Sequence, residues 1–183
     1  MDVIDKFDDI IIGSGGAGLT TAIFLARSSR KVAIISKSLP YLSHTGAAQG
    51  GINANYGNQL KDDWKWHAYD TIRGSDWLAD QDAVEILCQN ANFAVDFLSE
   101  IGVEFDKDSN NKILQKKYGG QTTEYGKGEL AKRACSVGDR TGAAMLQALY
   151  KEAIKLGVIF INYNLVIDLL FQDNKCNGLI SYD

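Results

Sequence analysis

The sequence predicts an α/β chain built around a parallel βαβ unit, and three observations carry that prediction. A short apolar run, residues 9–12, stops at a glycine cluster (GSGGAG, residues 13–18), after which Leu19, Ala22, Ile23 and Ala26 recur at helical spacing. A second apolar run, residues 31–36 (KVAIIS), follows at the distance expected for the returning strand. The chain has 183 residues and is 45% hydrophobic, enough to bury a core.

Gly13, Gly15 and Gly18 fit G-x-G-x-x-G between strand and helix, the Rossmann-like arrangement that cradles a dinucleotide pyrophosphate. The first glycine permits the tight turn, the second lets backbone approach the phosphates, and the third lets helix pack on strand. The phosphates then meet the amides of a helix N-terminus. Such folds usually carry an acid for the ribose 2′-hydroxyl at the end of the second strand. Here Ser36 and Lys37 stand in that place, which disfavours an ordinary NAD site. It favours hydroxyl and backbone groups on the ribose, with Lys37 either supplying charge near the phosphates or simply solvated at a strand end.

Residues 38–58 form a polar, glycine-rich loop containing Pro40, the single proline. A loop of that length is usually functional or disordered, and this one lies where the cofactor should extend. His44 is the one imidazole in it. A histidine there offers a nitrogen lone pair as nucleophile, base or acceptor, or is merely a hydrogen-bonded loop residue.

Downstream, Trp64, Trp66, His67 and Tyr69 are expected to pack rather than to bind. A helix capped by Asp80 or Asp82 is expected to bury Ala83, Ile86, Leu87, Ala94, Val95, Leu98 and Ile101, with Gly102 past its end. Residues 106–111 read as a turn, and residues 113–128 as a glycine-interrupted polar segment. Asp139 and Arg140 read as an ion pair or cap before a helix marked by Leu146, Leu149, Tyr150 and Ala153 and closed by Gly157. Residues 158–163 are the expected third parallel strand. Residues 166–171 and 178–182 are expected to pair across a turn at 173–177.

Bulk properties narrow the function. A net charge of −4 gives no basic footprint for nucleic acid, and no apolar run approaches the ~18 residues of a spanning helix, so a soluble chain is expected. The acidic start, residues 1–9, lacks the features of a secretory or transit peptide. Cys88, Cys135 and Cys176 are odd in number and in no metal-binding spacing, which predicts reduced, packing thiols, a reducing compartment and no metal site.

Five segments together carry a family resemblance: SHTGAAQGGINA from Ser43, DDWKWHAYDTIRGSDWLADQDA from Asp62, YGGQ from Tyr118, YGKG from Tyr125 and GDRTG from Gly138. In order and over essentially the whole chain, they resemble the flavoprotein subunit of succinate dehydrogenase and its kin fumarate reductase. The related L-aspartate oxidase is similar but lacks a histidine in the S-H-T triplet. The resemblance implies an FAD-type Rossmann-like domain with helical insertions and a β-meander, incomplete at its C-terminus. It divides as residues 1–58 (βαβ unit and flavin loop), 59–157 (helical insertion) and 158–183 (third strand and hairpin), with the capping domain absent.

The resemblance also implies FAD contacts at Gly13, Ser14, Gly15, Gly16, Ala17 and Gly18, at Ser36, Lys37 and Ser38, at Ser43, His44, Thr45, Ala48, Gln49, Gly50 and Gly51, and at Val166. It implies a covalent 8α bond to His44, and dicarboxylate contacts at Gln49, Gly50 and Tyr118. The family's proton-transfer residues would lie beyond Asp183, so no catalytic residue is expected in this chain, which alone should be inactive.

The expected role is succinate oxidation to fumarate, with electrons passed to an iron–sulfur subunit. The expected partners are the rest of the flavoprotein and, indirectly, membrane anchor subunits, on the reducing face of an energy-transducing inner membrane. Fumarate reduction, a soluble relative or a non-catalytic split FAD-holding subunit are the alternatives. Four positions depart from the family pattern: Leu42 for arginine, Gly46 for valine, Tyr118 for phenylalanine and Ala143 for histidine.

Overall fold

The computed structural model describes residues 6–183; the first five residues of the acidic start lie outside the described residues. Chain contacts divide the protein into two compact units, Met1–Ala47 with Gly142–Asp183, and Ala48–Thr141. The second unit is thus inserted between the second and third strands of the first unit's sheet. Residues 59–157 are the expected insertion; by chain contacts residues 48–58 also fall in the second unit and residues 142–157 in the first.

In the first unit, β1 (Asp9–Ile12), β2 (Val32–Ser36) and β6 (Ile159–Asn162) form a parallel sheet in the order β1-β2-β6. Every residue of β2 is buried, as a continuous apolar run in a central parallel strand requires. Helix α1 (Gly16–Arg27) joins β1 to β2 and buries Leu19, Ala22 and Ile23, three of the four residues whose spacing announced it. Each large aliphatic among them contributes about 1.5–3 kcal/mol by leaving water. Helix α6 (Thr141–Lys155) buries Leu146, Leu149 and Ala153, and Tyr150 meets Phe160 of β6 edge-to-face at 4.8 Å. Asp139 and Arg140, expected as an ion pair or a cap ahead of this helix, are both exposed and, among the described residues, form no ion pair with each other.

The hairpin of β7 (Leu165–Gln172) and β8 (Lys175–Tyr182) turns through Asp173 and Asn174, whose φ values of +51° and +59° fit a type I′ turn. The turn is therefore two residues long, not five. Cys176 lies exposed on β8, whereas Cys88 and Cys135 are buried; all three are free thiols, and only the buried pair packs as expected.

In the second unit, β3 (Ile52–Asn53), β5 (Leu130–Cys135) and β4 (Gln115–Thr122) form an antiparallel sheet. Helices α3 (Trp64–Gly74), α4 (Gln81–Gln89) and α5 (Ala91–Glu100) complete the unit. Asp63 caps α3 by accepting from Lys65 N–H, and Asp80 caps α4 by accepting from Asp82 and Ala83 N–H. Trp64 packs against Ala68, Val84 and Cys88, and Tyr69 makes edge contacts with Trp77 and Tyr125, so these aromatics are packing residues.

One expected helix over residues 80–101 is two, broken at Asn90, whose side-chain amide donates to Ile86 O at 2.7 Å. The buried stripe also differs. Val84, Cys88, Ala91, Val95 and Leu98 face the core, while Ile86 and Leu87 are about 60% exposed. Both stripes have helical spacing, and the core took the one that includes the cysteine.

Arg133 of β5 organises the unit's polar interior. It is 1% exposed and spends all five N–H donors: two on Asp62, one each on Asp70 and Gln121, and one on Thr122 O, at 2.7–3.1 Å. His67 is buried beside it, and burial, reinforced by the Arg133 charge, pushes its pKa from the ordinary 6.5 down to about 4.

The sign follows from linkage. Below pH 6.5 the unfolded chain takes up a proton that folded His67 refuses, so stability is intact above that pH and falls progressively towards pH 4, by on the order of 3 kcal/mol. Urea midpoints measured from pH 7 to 5 are expected to drop in the wild type and to flatten in a His67→Gln variant. Equal slopes in the two would remove His67 as the cause.

Candidate functional site

A cleft of about 480 Å³ opens in the first unit at the carboxyl ends of β1 and β2, where open α/β sheets bind ligands. Its floor is the glycine turn, Gly13, Ser14 and Gly15; one wall is Ser36, Lys37 and Ser38. The opposite side brings in Ser43 and His44, and β7 contributes Val166. Nine of the sequence-expected cofactor residues thus line one cavity. Leu42, Asn164 and Leu165 line it as well and were not expected to. Asn164 closes the turn after β6, where its N–H donates to Ser36 O at 3.1 Å.

The turn is tight because it must be. A Cβ on Gly18 would stand 2.0 Å from Gly13 O, so helix and strand could not meet there with any larger residue. Gly15 precedes α1 with extended backbone and provides no side-chain cap. Amides of that first turn therefore point outward as a positive helix end. One of them is taken: Gly16 N–H donates to Thr45 Oγ1 at 3.0 Å. Thr45 thereby pins the loop to the helix N-terminus. Ala17 and Gly18 lie within α1, and Gly16 and Thr45 contribute through this bond rather than as cleft lining.

The loop expected between residues 38 and 58 is not structureless. Pro40–Leu42 makes a 3₁₀ turn and His44–Ala47 a single helical turn, α2, with His44 exposed at its start. Ser36 Oγ, buried, accepts from Ser14 Oγ at 3.0 Å, which leaves its own proton free to turn towards the cleft. Ser43 Oγ is buried without a hydrogen-bond partner among the described residues.

Two departures from the family pattern, Gly46 and Ala143, border one separate apolar cavity of about 290 Å³ that also includes Leu146 and Tyr150. A Cβ on Gly46 would lie 2.7 Å from Tyr41 O, so the close approach of the 3₁₀ turn depends on this glycine.

The remaining expected residues belong to the second unit. Ala48 and Gln49 are exposed, and Gly51 has φ +103° with its Cα so close to Cys135 O that a Cβ would stand at 2.6 Å. Tyr118, 62% exposed, lies with its ring against Gly50, where a Cβ would meet Cζ at 2.9 Å. Gly119 and Gly120, both at positive φ, bulge β4 just after it.

A profile of the FAD binding domain family matches residues 8–182. The chain belongs to that family. This FAD binding domain is 48% identical over 178 residues to the succinate dehydrogenase flavoprotein subunit of Rickettsia conorii, covering 97% of this chain and 30% of the relative. Among solved structures it resembles the Mycobacterium smegmatis Sdh1 complex in its apo form, with a TM-score of 0.86 at 31% identity over 96% of this chain and 31% of that one. It also resembles a quinol–fumarate reductase with menaquinol molecules, with a TM-score of 0.82 at 29% identity over 96% of this chain and 29% of that one. The FAD binding domain spans about 30% of the length of the relatives it matches.

The residues present fit FAD. An orphaned buried hydroxyl at Ser43, a helix end with outward amides, the Lys37 cation and the Ser36 and Ser38 hydroxyls form a donor set suited to pyrophosphate and polyol oxygens. No helix among the described residues is long and apolar enough to cross a membrane.

Proposed function

We propose that this FAD binding domain is the cofactor-holding part of a succinate dehydrogenase flavoprotein, oxidising succinate to fumarate and delivering electrons to an iron–sulfur subunit. The observation that carries the reading is His44, which lines the glycine-turn cleft in a chain nearly half identical to such a subunit. In this reading the α1 amides and Lys37 hold the pyrophosphate, and Ser36 and Ser38 hold ribose hydroxyls. Ser43 and Thr45 fix the flavin side. An imidazole nitrogen of His44 is bonded to the 8α carbon, and Val166 borders the adenine side. Bound FAD supplies the hydride acceptor.

The backbone of Gln49, Gly50 and Gly51, with the Tyr118 ring over Gly50, forms a wall for flavin and dicarboxylate. Proton transfer is assigned to no residue of this chain. The partners are the remainder of the flavoprotein, an iron–sulfur subunit and, through it, membrane anchors. The location is the peripheral, reducing face of an energy-transducing membrane. The likeness to quinol–fumarate reductase supports the reverse reaction as a second reading.

Anaerobic succinate added to the natively isolated holoprotein is expected to bleach the flavin absorbance. A flavin redox titration then separates the two directions, since the midpoint relative to the succinate/fumarate couple decides which is favoured. Full flavin occupancy with no bleaching by succinate would end the enzyme reading.

A further inference from the structure

Thr141 is 1% exposed, and its hydroxyl makes two bonds whose directions are fixed. It accepts from Val137 N–H at 3.1 Å, so its single proton is left for the Gln49 carbonyl at 3.3 Å. The buried hydroxyl therefore draws that carbonyl inward. The peptide joining Gln49 to Gly50 is trans, as no cis bond occurs among the described residues, and a trans peptide points its N–H opposite to its C=O. The Gly50 N–H must then face away from Thr141.

The flanking restraints act elsewhere. Gly51 is pressed on Cys135 O, Ile52 pairs with Cys135, and the Tyr118 ring lies against Gly50. Those contacts fix the path of the chain and leave the rotation of the Gln49–Gly50 peptide to Thr141. The turn that carries Thr141 is itself anchored. The Asp106 carboxylate accepts from Gly138 N–H at 3.1 Å, from Ser136 Oγ at 3.1 Å and from Lys116 Nζ at 2.7 Å.

We propose that Thr141 is a positioning residue: by holding the Gln49 carbonyl inward it presents Gly50 N–H as a donor to an electron-rich oxygen, either a flavin carbonyl or a carboxylate of the dicarboxylate. This rests on the function proposed above, which places the 49–51 segment beside both ligands. A peptide free to flip would present a carbonyl there and repel either acceptor.

Thr141→Val keeps the shape and removes both bonds, and Thr141→Ser restores them. In the native holoprotein the flavin midpoint potential and visible spectrum are measured first without ligand, then malonate is titrated through its perturbation of the flavin band. If flavin is the acceptor, Thr141→Val shifts the potential and spectrum before malonate is added. If the dicarboxylate is the acceptor, the flavin is unchanged and malonate binds about tenfold more weakly, the scale of one lost hydrogen bond to a charged group. In both cases Thr141→Ser is expected to behave as wild type.

Wild-type behaviour of Thr141→Val in both arms, or equal impairment of Thr141→Ser, overturns the proposal. A wild-type measurement covers a valine variant that does not fold: residue-resolved hydrogen exchange at Gly50 N–H should be slow in the holoprotein or slowed by malonate. Exchange as fast as an open amide with flavin bound and malonate saturating also overturns it. A holoprotein that neither binds malonate nor is reduced by succinate tells against the proposed function instead, and the flavin arm still decides the role of Thr141.

Discussion

Flavin fluorescence is expected to migrate with the acid-denatured wild-type chain and to be lost completely from a His44→Ser variant. The imidazole is exposed at the first position of α2, lines the cleft, and is held in place by its neighbour Thr45 through the bond to Gly16 N–H. That arrangement leaves a ring nitrogen free to act as a nucleophile towards an activated carbon. An exposed side chain contributes little to folding, so the variant should melt within a few degrees of wild type and still bind FAD reversibly. Its flavin potential should be lower, since the tethered imidazole withdraws electron density from the ring system. Flavin that washes off the wild type as readily as off the variant would refute the covalent bond.

The second large effect is expected at Arg133. Arg133→Met removes the partner of Asp62 and Asp70, whose side chains are 1% and 6% exposed. Breaking a buried ion network from one side costs about 3–5 kcal/mol, because the remaining charges stay desolvated. Set against a typical total of about 5–15 kcal/mol, that should move the urea midpoint far down or prevent folding. Arg133→Lys is expected to recover little, as an ammonium cannot reproduce the two-pronged grip on Asp62 together with the bonds to Asp70, Gln121 and Thr122. Replacing Arg133, Asp62 and Asp70 together by apolar residues of matching volume should restore much of the loss. A single Arg133→Met variant within 1 kcal/mol of wild type, by the same titration, would contradict the network's importance.

The βαβ core was legible because its determinants are local. An apolar run, a glycine turn and a helical stripe each specify their element within a dozen residues, and all three sit where the spacing put them. The hydroxyl-rich wall of the cleft was legible as well, from the missing acid after β2. Arg133 was not, although it governs the second unit. Its carboxylate partners lie 71 and 63 positions away in the chain, and LAKRAC reads as an ordinary half-polar segment. The one signal was a charge set among Ala131, Ala134 and Cys135.

Strands β4 and β5 were missed for a related reason. Gly119 and Gly120 bulge the ladder so that Lys117 pairs with Lys132 and the next partner is Thr122 with Leu130. Strict alternation is lost where Tyr118 projects. Between α4 and α5, two apolar stripes of equal periodicity competed, and only tertiary packing could choose between them.

The placement of the insertion has a consequence for how the chain acquires its shape. Ala48–Thr141 is continuous in sequence and can condense as soon as it leaves the ribosome, whereas the parallel sheet cannot close until β6 has been made. The pairing of Ala33 with Ile159 spans the whole inserted unit, so its closure entropy is offset only after that unit has collapsed and shortened the effective loop. During synthesis β2, apolar from Val32 to Ile35, therefore has one neighbour and one open edge, the condition under which nascent strands pair wrongly. Early condensation of the inserted unit thus also shortens the time for which the nucleotide-binding sheet stands unfinished.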